Sequence, residues 1–451
     1  MSAYANKRFL VIDDQPLARE ALRTIAQNVG AFAVEFASNY QDAIYRIRNN
    51  APDIILCDYV LGEGRSGQQL LEELRRFNLL SDDTIFMMVT GEQAYEQVVS
   101  AVELVPDDYI IKPFSPDKLL LRLDRIVAKK KFFAGYYQEK RKQDYAAALA
   151  LLAAGRDSEA GRPYRYEILR QEAEVHLAAG DATAAEAAYR NILDNYEFPW
   201  ARAGVARALH HQNKLTEARA EIDRVVASTP HYFDASDLKA NICMAQGDNE
   251  EAQRVLDEVA KKTPRNYQRK RLLAQAATLN GDTATATAMM ADVVANDTMP
   301  GAVSPDDQLT LARSQVNGND LIAAEKVLLG LRESTVQNFS LAQQASYSAL
   351  LALACPEKGK ARFAGLRPAL LATPLPGEIR LDVLRAALAA GDLELADGQA
   401  RELMAGEEAK KVFSTVRKLY ALHGRDADLR EIQRQVALLR IHHDEPGAAP
   451  G

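Results

Sequence analysis

From residue 166 onward the chain keeps a period. The turn residues Gly180, Asn213, Gly247, Gly281 and Asn319 are separated by 33, 34, 34 and 38 positions. Seven residues before each stands an alanine (Ala173, Ala206, Ala240, Ala274, Ala312), and five after each stands another (Ala185, Ala218, Ala252, Ala286, Ala324). Nine after each comes a larger apolar residue: Tyr189, Ile222, Leu256, Met290, Leu328. Four columns in one register describe a repeated pair of antiparallel helices, a unit that cannot bury its apolar face without stacked neighbours. Small residues at both alanine columns let two helix backbones approach closely, and the larger residue fills the space to the next pair. Pro230 and Pro264, also 34 apart, stop two of the units. A period of this kind commits most of the chain to an all-α array.

The pattern weakens at both ends. Gln143 to Leu152 reads as a weaker first unit, and Leu384, Gly391, Ala396 and Ala400 as a later one. Residues 340–380, which contain Pro356, Pro368, Pro374 and Pro376, fit poorly and are expected to be an irregular repeat. Lys411–Arg440 is expected to form capping helices, and the tail from Asp444 to be disordered. These columns resemble the tetratricopeptide repeat, with the first aromatic of that family's pattern mostly missing. The resemblance implies a solenoid with a protein- or peptide-binding groove. Trp200, the only tryptophan of the chain, is expected to pack in the core near the start of a repeat.

Residues 1–128 follow a different rule. Short apolar runs at Arg8–Ile12, Ala33–Ala37, Asp53–Cys57, Thr84–Val89 and Asp108–Ile111 alternate with segments of helical periodicity at Pro16–Asn28, Tyr40–Asn49, Gly67–Phe77, Tyr95–Leu104 and Pro116–Val127. Strands such as DIILC, with no polar alternation, suit a parallel sheet buried on both faces. Five βα units predict a doubly wound α/β domain. Asp13, Asp14, Asp58, Thr90 and Lys112 all fall at or just past the carboxyl ends of strands, the edge where such sheets bind ligands. Three carboxylates in one crevice repel unless a cation sits among them, and hard oxygen donors suit Mg²⁺. A hydroxyl and an ammonium beside them suit phosphoryl oxygens.

This segment resembles the receiver domain of two-component response regulators. The resemblance implies an acidic pair at Asp13 and Asp14, a phosphoacceptor at Asp58, and a metal shell of Asp13, Asp14, Asp58 and the Val60 backbone carbonyl around Mg²⁺. It assigns a switch hydroxyl to Thr90, a charge-stabilising lysine to Lys112, a switch aromatic to Tyr109, and a cis bond to Lys112–Pro113.

Composition excludes several classes. The chain has 451 residues, 47% of them hydrophobic and 26% charged, with no run long enough for a membrane span and no apolar leader after the N-terminus. A cytoplasmic protein is expected. Residues 1–128 carry a net charge of −6 and the rest is close to neutral, which argues against a nucleic-acid surface. The basic runs Lys129–Lys131 and Lys140–Lys142 read as a solvated helix face between domains. Cys57, Cys243 and Cys355 have no metal or disulfide spacing and are expected to be buried. His210–His211 and His442–His443 lack the carboxylate spacing of metal sites, and no nucleophile, P-loop or zinc signature indicates an enzyme.

The resulting domain scheme is a receiver at 1–128, a helical linker with a weak first repeat at 129–165, helical repeats with a cap at 166–440, and a tail at 441–451. Two functions compete. In the first, phosphorylation of Asp58 by a sensor histidine kinase or phosphotransfer protein controls protein binding by the repeats. In the second, the protein is a phosphotransfer modulator that grips a kinase or another regulator and competes for phosphoryl groups. Nucleic-acid binding by a pentatricopeptide-like array would need a basic groove, and the charge balance disfavours it.

Overall fold

The computed structural model describes residues 4–62, 66–76, 79–91, 106–230, 232–264, 266–295, 304–406 and 409–444. Five strands, β1 (Arg8–Ile12), β2 (Ala33–Ala37), β3 (Ile54–Asp58), β4 (Ile85–Thr90) and β5 (Asp108–Ile111), form one parallel sheet in the order β2-β1-β3-β4-β5. This is the doubly wound order whose switch point lies between β1 and β3. Both central strands β3 and β4 are buried along their whole length, which is why their sequences show no alternation. Helices α1 (Pro16–Asn28), α2 (Tyr40–Asn50) and α3 (Gly67–Arg76) cross between strands. The helix expected at Tyr95–Leu104 lies outside the described residues.

Register sets up the carboxyl edge. Ile12 pairs with Cys57, Cys57 with Met88, Asp58 with Val89, and Thr90 with Ile111. The residues that follow or end these strands, Asp13, Asp58, Thr90 and Lys112, therefore stand in one row.

The last receiver helix does not stop near Val127. α4 runs unbroken from Pro116 to Arg141, started by Pro116 and by the Ser115 side chain, which accepts from the Lys118 N–H. Its second half pairs with α5 (Tyr145–Arg156), so one helix serves both the α/β domain and the array. The turn between them uses the same device as the later turns: Gln143 has φ 60°, matching Gly180, Asn213, Gly247, Gly281 and Asn319, all left-handed. The following Asp144 caps α5 by accepting from the Ala147 N–H.

The chain divides into two compact units, 1–276 and 277–451. In the first, helix pairs α6 (Arg165–Ala178) with α7 (Ala182–Leu193), α8 (Pro199–His211) with α9 (Leu215–Ser228), and α10 (Phe233–Gln246) with α11 (Asn249–Lys262) follow the first pair; α12 (Tyr267–Asn280) begins the next. In the second come α13 (Thr283–Ala295), α14 (Pro305–Asn317), α15 (Leu321–Leu329), short α16 (Glu333–Gln337), α17 (Leu341–Ala354), α18 (Pro356–Ala372), α19 (Gly377–Ala390), α20 (Leu393–Ala405), α21 (Ala409–Leu422) and α22 (Asp426–Asp444).

All three apolar columns are buried in every repeat. Residues 340–380 are more regular than their prolines suggest. Pro356 starts α18, Pro368 is held inside it, and Gly359 lies against the backbone of α17, so this pair packs as tightly as the others. Trp200 is half-buried rather than central: it stacks on Phe198 at 5.4 Å between ring centres, with the Arg170 guanidinium 5.8 Å from its ring. Cys57 and Cys243 are buried and Cys355 half-buried. His210 is half-buried and His211 exposed. Residues 441–444, assigned above to the tail, instead form the end of α22, and the rest of the tail, from residue 445, lies outside the described residues. No helix among the described residues is long and apolar enough to cross a membrane.

Candidate functional site

The carboxyl edge of the sheet gathers four of the expected residues, Asp13, Asp14, Asp58 and Lys112, around one pocket. Asp13, immediately after β1, is fully buried, and Asp58, the last residue of β3, is 7% exposed; Asp14 is exposed. One carboxylate oxygen from each of the three lies within 4.8 Å of the others. The Lys112 ammonium, one residue beyond β5, donates to Asp13 Oδ2 at 2.8 Å and to Asp58 Oδ2 at 2.9 Å.

Backbone groups hold these side chains in place. The other oxygen of Asp13 accepts from the Gln15 N–H at 2.9 Å, and Arg19 donates to the Asp13 carbonyl at 2.6 Å. The Val60 N–H hydrogen-bonds to the Asp58 carboxylate. Lys112 is set by its own N–H, which donates to the Thr90 carbonyl at 2.7 Å, and is followed by a cis peptide bond to Pro113.

Burial pushes the Asp58 carboxyl above its ordinary value, and Asp13 adds to that; Lys112 and the Val60 N–H pull the other way without cancelling it. Burial alone would lower the Lys112 ammonium, but its hydrogen bonds to Asp13 and Asp58 and their charges outweigh this and raise it. It therefore stays charged at neutral pH. The neighbouring Cys57 thiol is driven well up by burial and by both carboxylates, which makes it inert.

Three carboxylates against one ammonium leave an excess of negative charge in a largely buried pocket. Hard oxygen donors with one exposed member suit a hydrated divalent cation such as Mg²⁺. Val60, 39% exposed, pairs with Ser66 across a short antiparallel bridge beside the pocket. Thr90 is buried at the end of β4. Tyr109 is half-buried on β5, in register with Met88 of β4, and is carried by the strand rather than joined directly to the carboxylates.

One contributor escapes the motif. Gly67 opens α3 where a Cβ would come within 2.3 Å of the Asp58 carbonyl and 2.8 Å of the Cys57 sulfur. A glycine at a helix start is common enough to give no sequence signal, yet here nothing larger fits beside the site.

A family model described as the response regulator receiver domain matches residues 9–124, and two tetratricopeptide repeat models match 176–242 and 238–297. Residues 9–124 are a response regulator receiver domain. Tetratricopeptide repeats follow it. The receiver is similar to the phosphate regulon transcriptional regulatory protein PhoB of Escherichia coli (strain K12), 34% identical over 121 residues that make up 27% of this chain and 52% of that protein. It is also similar to the response regulator MprA of Mycobacterium sp. (strain KMS), 30% identical over 116 residues, 26% of this chain and 48% of the relative. The chain spans about half the length of these curated relatives. Among solved structures, a putative response regulator from Chloroflexus aurantiacus J-10-fl is 28% identical, covering 27% of this chain and 98% of that one with a TM-score of 0.26.

Proposed function

We propose that the receiver, residues 1–128, accepts a phosphoryl group on Asp58 from a phosphohistidine of a sensor kinase or phosphotransfer protein. The repeats at 166–440, joined through 129–165, would then bind a protein under the control of that phosphorylation. The single observation that carries the reading is the Lys112 ammonium shared by Asp13 and Asp58 at the edge where three carboxylates converge.

In the transfer, an Asp58 carboxylate oxygen attacks phosphorus, a P–O bond forms, and the P–N bond to the donor histidine breaks with its electron pair leaving on the imidazole. Lys112, already bonded to Asp58, is placed to hold an oxygen of the arriving group. Asp13, Asp14, Asp58 and the Val60 carbonyl would hold Mg²⁺, which when bound offsets negative charge on the transferring group. Thr90, at the end of the adjacent strand, would donate its hydroxyl to the new phosphoryl group. Tyr109 would follow, biasing a two-state equilibrium of the β4–β5 face. Nothing in this scheme turns over a substrate beyond the phosphodonor.

Incubation with acetyl phosphate and Mg²⁺ tests the assignment. The wild-type protein should take up acid-stable, base-labile label, and Asp58→Asn should take up none. Label persisting on Asp58→Asn at the wild-type level would place the acceptor elsewhere. Asp13→Ala should fold and should need far more Mg²⁺ for labelling, because one carboxylate fewer weakens the cation site; an unchanged Mg²⁺ requirement would remove Asp13 from it.

A further inference from the structure

The amino end of the same sheet, opposite the carboxylate pocket, is also occupied. Lys130 lies on α4 beyond the segment that covers the receiver, in the part that pairs with α5. Its ammonium donates to Asp107 Oδ1 at 2.8 Å and to the Asp82 carbonyl at 2.6 Å, and lies 5.6 Å from the centre of the Tyr137 ring. Asp107 directly precedes β5, and its second oxygen accepts from the Phe86 N–H of β4 at 2.8 Å, while its own N–H donates to the Phe86 carbonyl at 2.8 Å. One carboxylate thus ties together the bases of β4 and β5 and the helix that enters the array. The tops of those two strands carry Thr90 and Lys112.

Lys130 was expected to belong to a solvated face, and it does not. Its side chain is 16% exposed and that of Asp107 20%. By contrast, Arg141, which reaches Asp83 at 3.1 Å from the end of the same helix, pairs at 43% and 50% exposure. Exposed pairs of that kind are screened and hold little. A half-buried ammonium with two oxygen partners at 2.6 and 2.8 Å is a fixed joint. Beyond it, the Tyr136 hydroxyl donates to Gln171 of α6 at 2.5 Å, and the rings of Phe132 (tilted) and Phe133 (edge-on) pack against Tyr164 at 5.0 and 5.9 Å between centres, so side-chain contacts continue from the joint into the next repeat.

We propose that Lys130 is the positioning residue through which the receiver acts on the repeats: it locks α4 to the bases of β4 and β5, and a displacement of those strands at the pocket reaches the array through it. The inference rests on Asp58 phosphorylation as read above. The β4–β5 pair is the element with two arrangements, and Asp107 is the point where either arrangement meets the array.

The full chain serves for the test, with Cys355→Ser in the background and spin labels at two exposed positions, Tyr45→Cys on α2 and Thr216→Cys on α9. Distances are measured by pulsed electron resonance with and without acetyl phosphate and Mg²⁺, and phosphorylation is scored separately by gel retardation. Phosphorylation should move the wild-type distance by on the order of 2 Å or more. Lys130→Met should be phosphorylated to the wild-type extent and show no such shift, while Lys130→Arg restores it. A shift in Lys130→Met equal to the wild type, or phosphorylated wild type with no shift, overturns the proposal while leaving the Asp58 assignment standing. Failure of the wild type to take up phosphate overturns the Asp58 reading itself, and the proposal with it.

Discussion

At the scale of single residues, burial decides which charges matter. Asp58 and Lys112 share a pocket in which each sets the protonation of the other, and Asp234 shows the same physics away from it. At the start of α10, burial raises Asp234 to about 6, helped by Asp237 and opposed by Arg269, Arg207 and Arg170. Folding therefore favours the protonated form. Between the ordinary value near 3.8 and 6 the folded chain binds more protons than the unfolded one, so this group's contribution to stability falls as pH rises through that window. Asp234→Asn should flatten the dependence between pH 4 and 6 and raise stability at pH 7 by up to about 3 kcal/mol, the equivalent of two pH units. Urea unfolding at pH 4 and pH 7 measures it; an equal loss at both pH values would mean that Asp234 is held by its arginines.

Elements are held by backbone geometry as much as by apolar surface. The turns at Gln143, Gly180, Asn213, Gly247, Gly281, Asn319 and Gly391 each pass through a left-handed residue, and at Gln143 a side chain is held in a conformation glycine adopts freely. Gln143→Gly should raise stability by roughly 0.5–1 kcal/mol, read as a higher urea midpoint at unchanged slope. Gly359 sets the opposite case. A Cβ there would stand 2.3 Å from the Ala352 nitrogen and 2.4 Å from the Leu351 carbonyl carbon, both backbone atoms that cannot swing aside. Gly359→Ala should cost about 1–3 kcal/mol by forcing α17 and α18 apart. A neutral result would show that the pair can slide.

For the molecule as a whole, the consequential feature is that α4 belongs to both the receiver and the first helix pair. A Gly-Ser segment of about ten residues inserted after Lys131 would replace a rigid helix by a random coil. Phosphorylation by acetyl phosphate and partner binding should each survive the insertion, and the dependence of binding on phosphorylation should vanish. Binding that stays fully phosphorylation-dependent would point to receiver dimerisation as the controlling step.

The order of elements, the α/β and all-α division and the cluster of polar residues at strand ends were all legible in the sequence, because periodicity and strand-end placement are local properties of the chain. The alanine columns announced the helix pairs for the same reason. What the tertiary structure decided was which local segments share a partner. Nothing in the run Ala128–Lys142 distinguishes a linker from half of a repeat until Gln143 is seen in the left-handed turn and Tyr136 is seen buried where later repeats bury alanine. Lys130 looks like any lysine in a basic run until Asp107, 23 positions earlier, is brought to 2.8 Å from it. Ion pairs and close glycine approaches depend on contacts between distant positions, and one-dimensional spacing carries no record of them. The pocket's residue types were therefore readable from sequence, while its charge balance and the joint beneath it emerged only on folding.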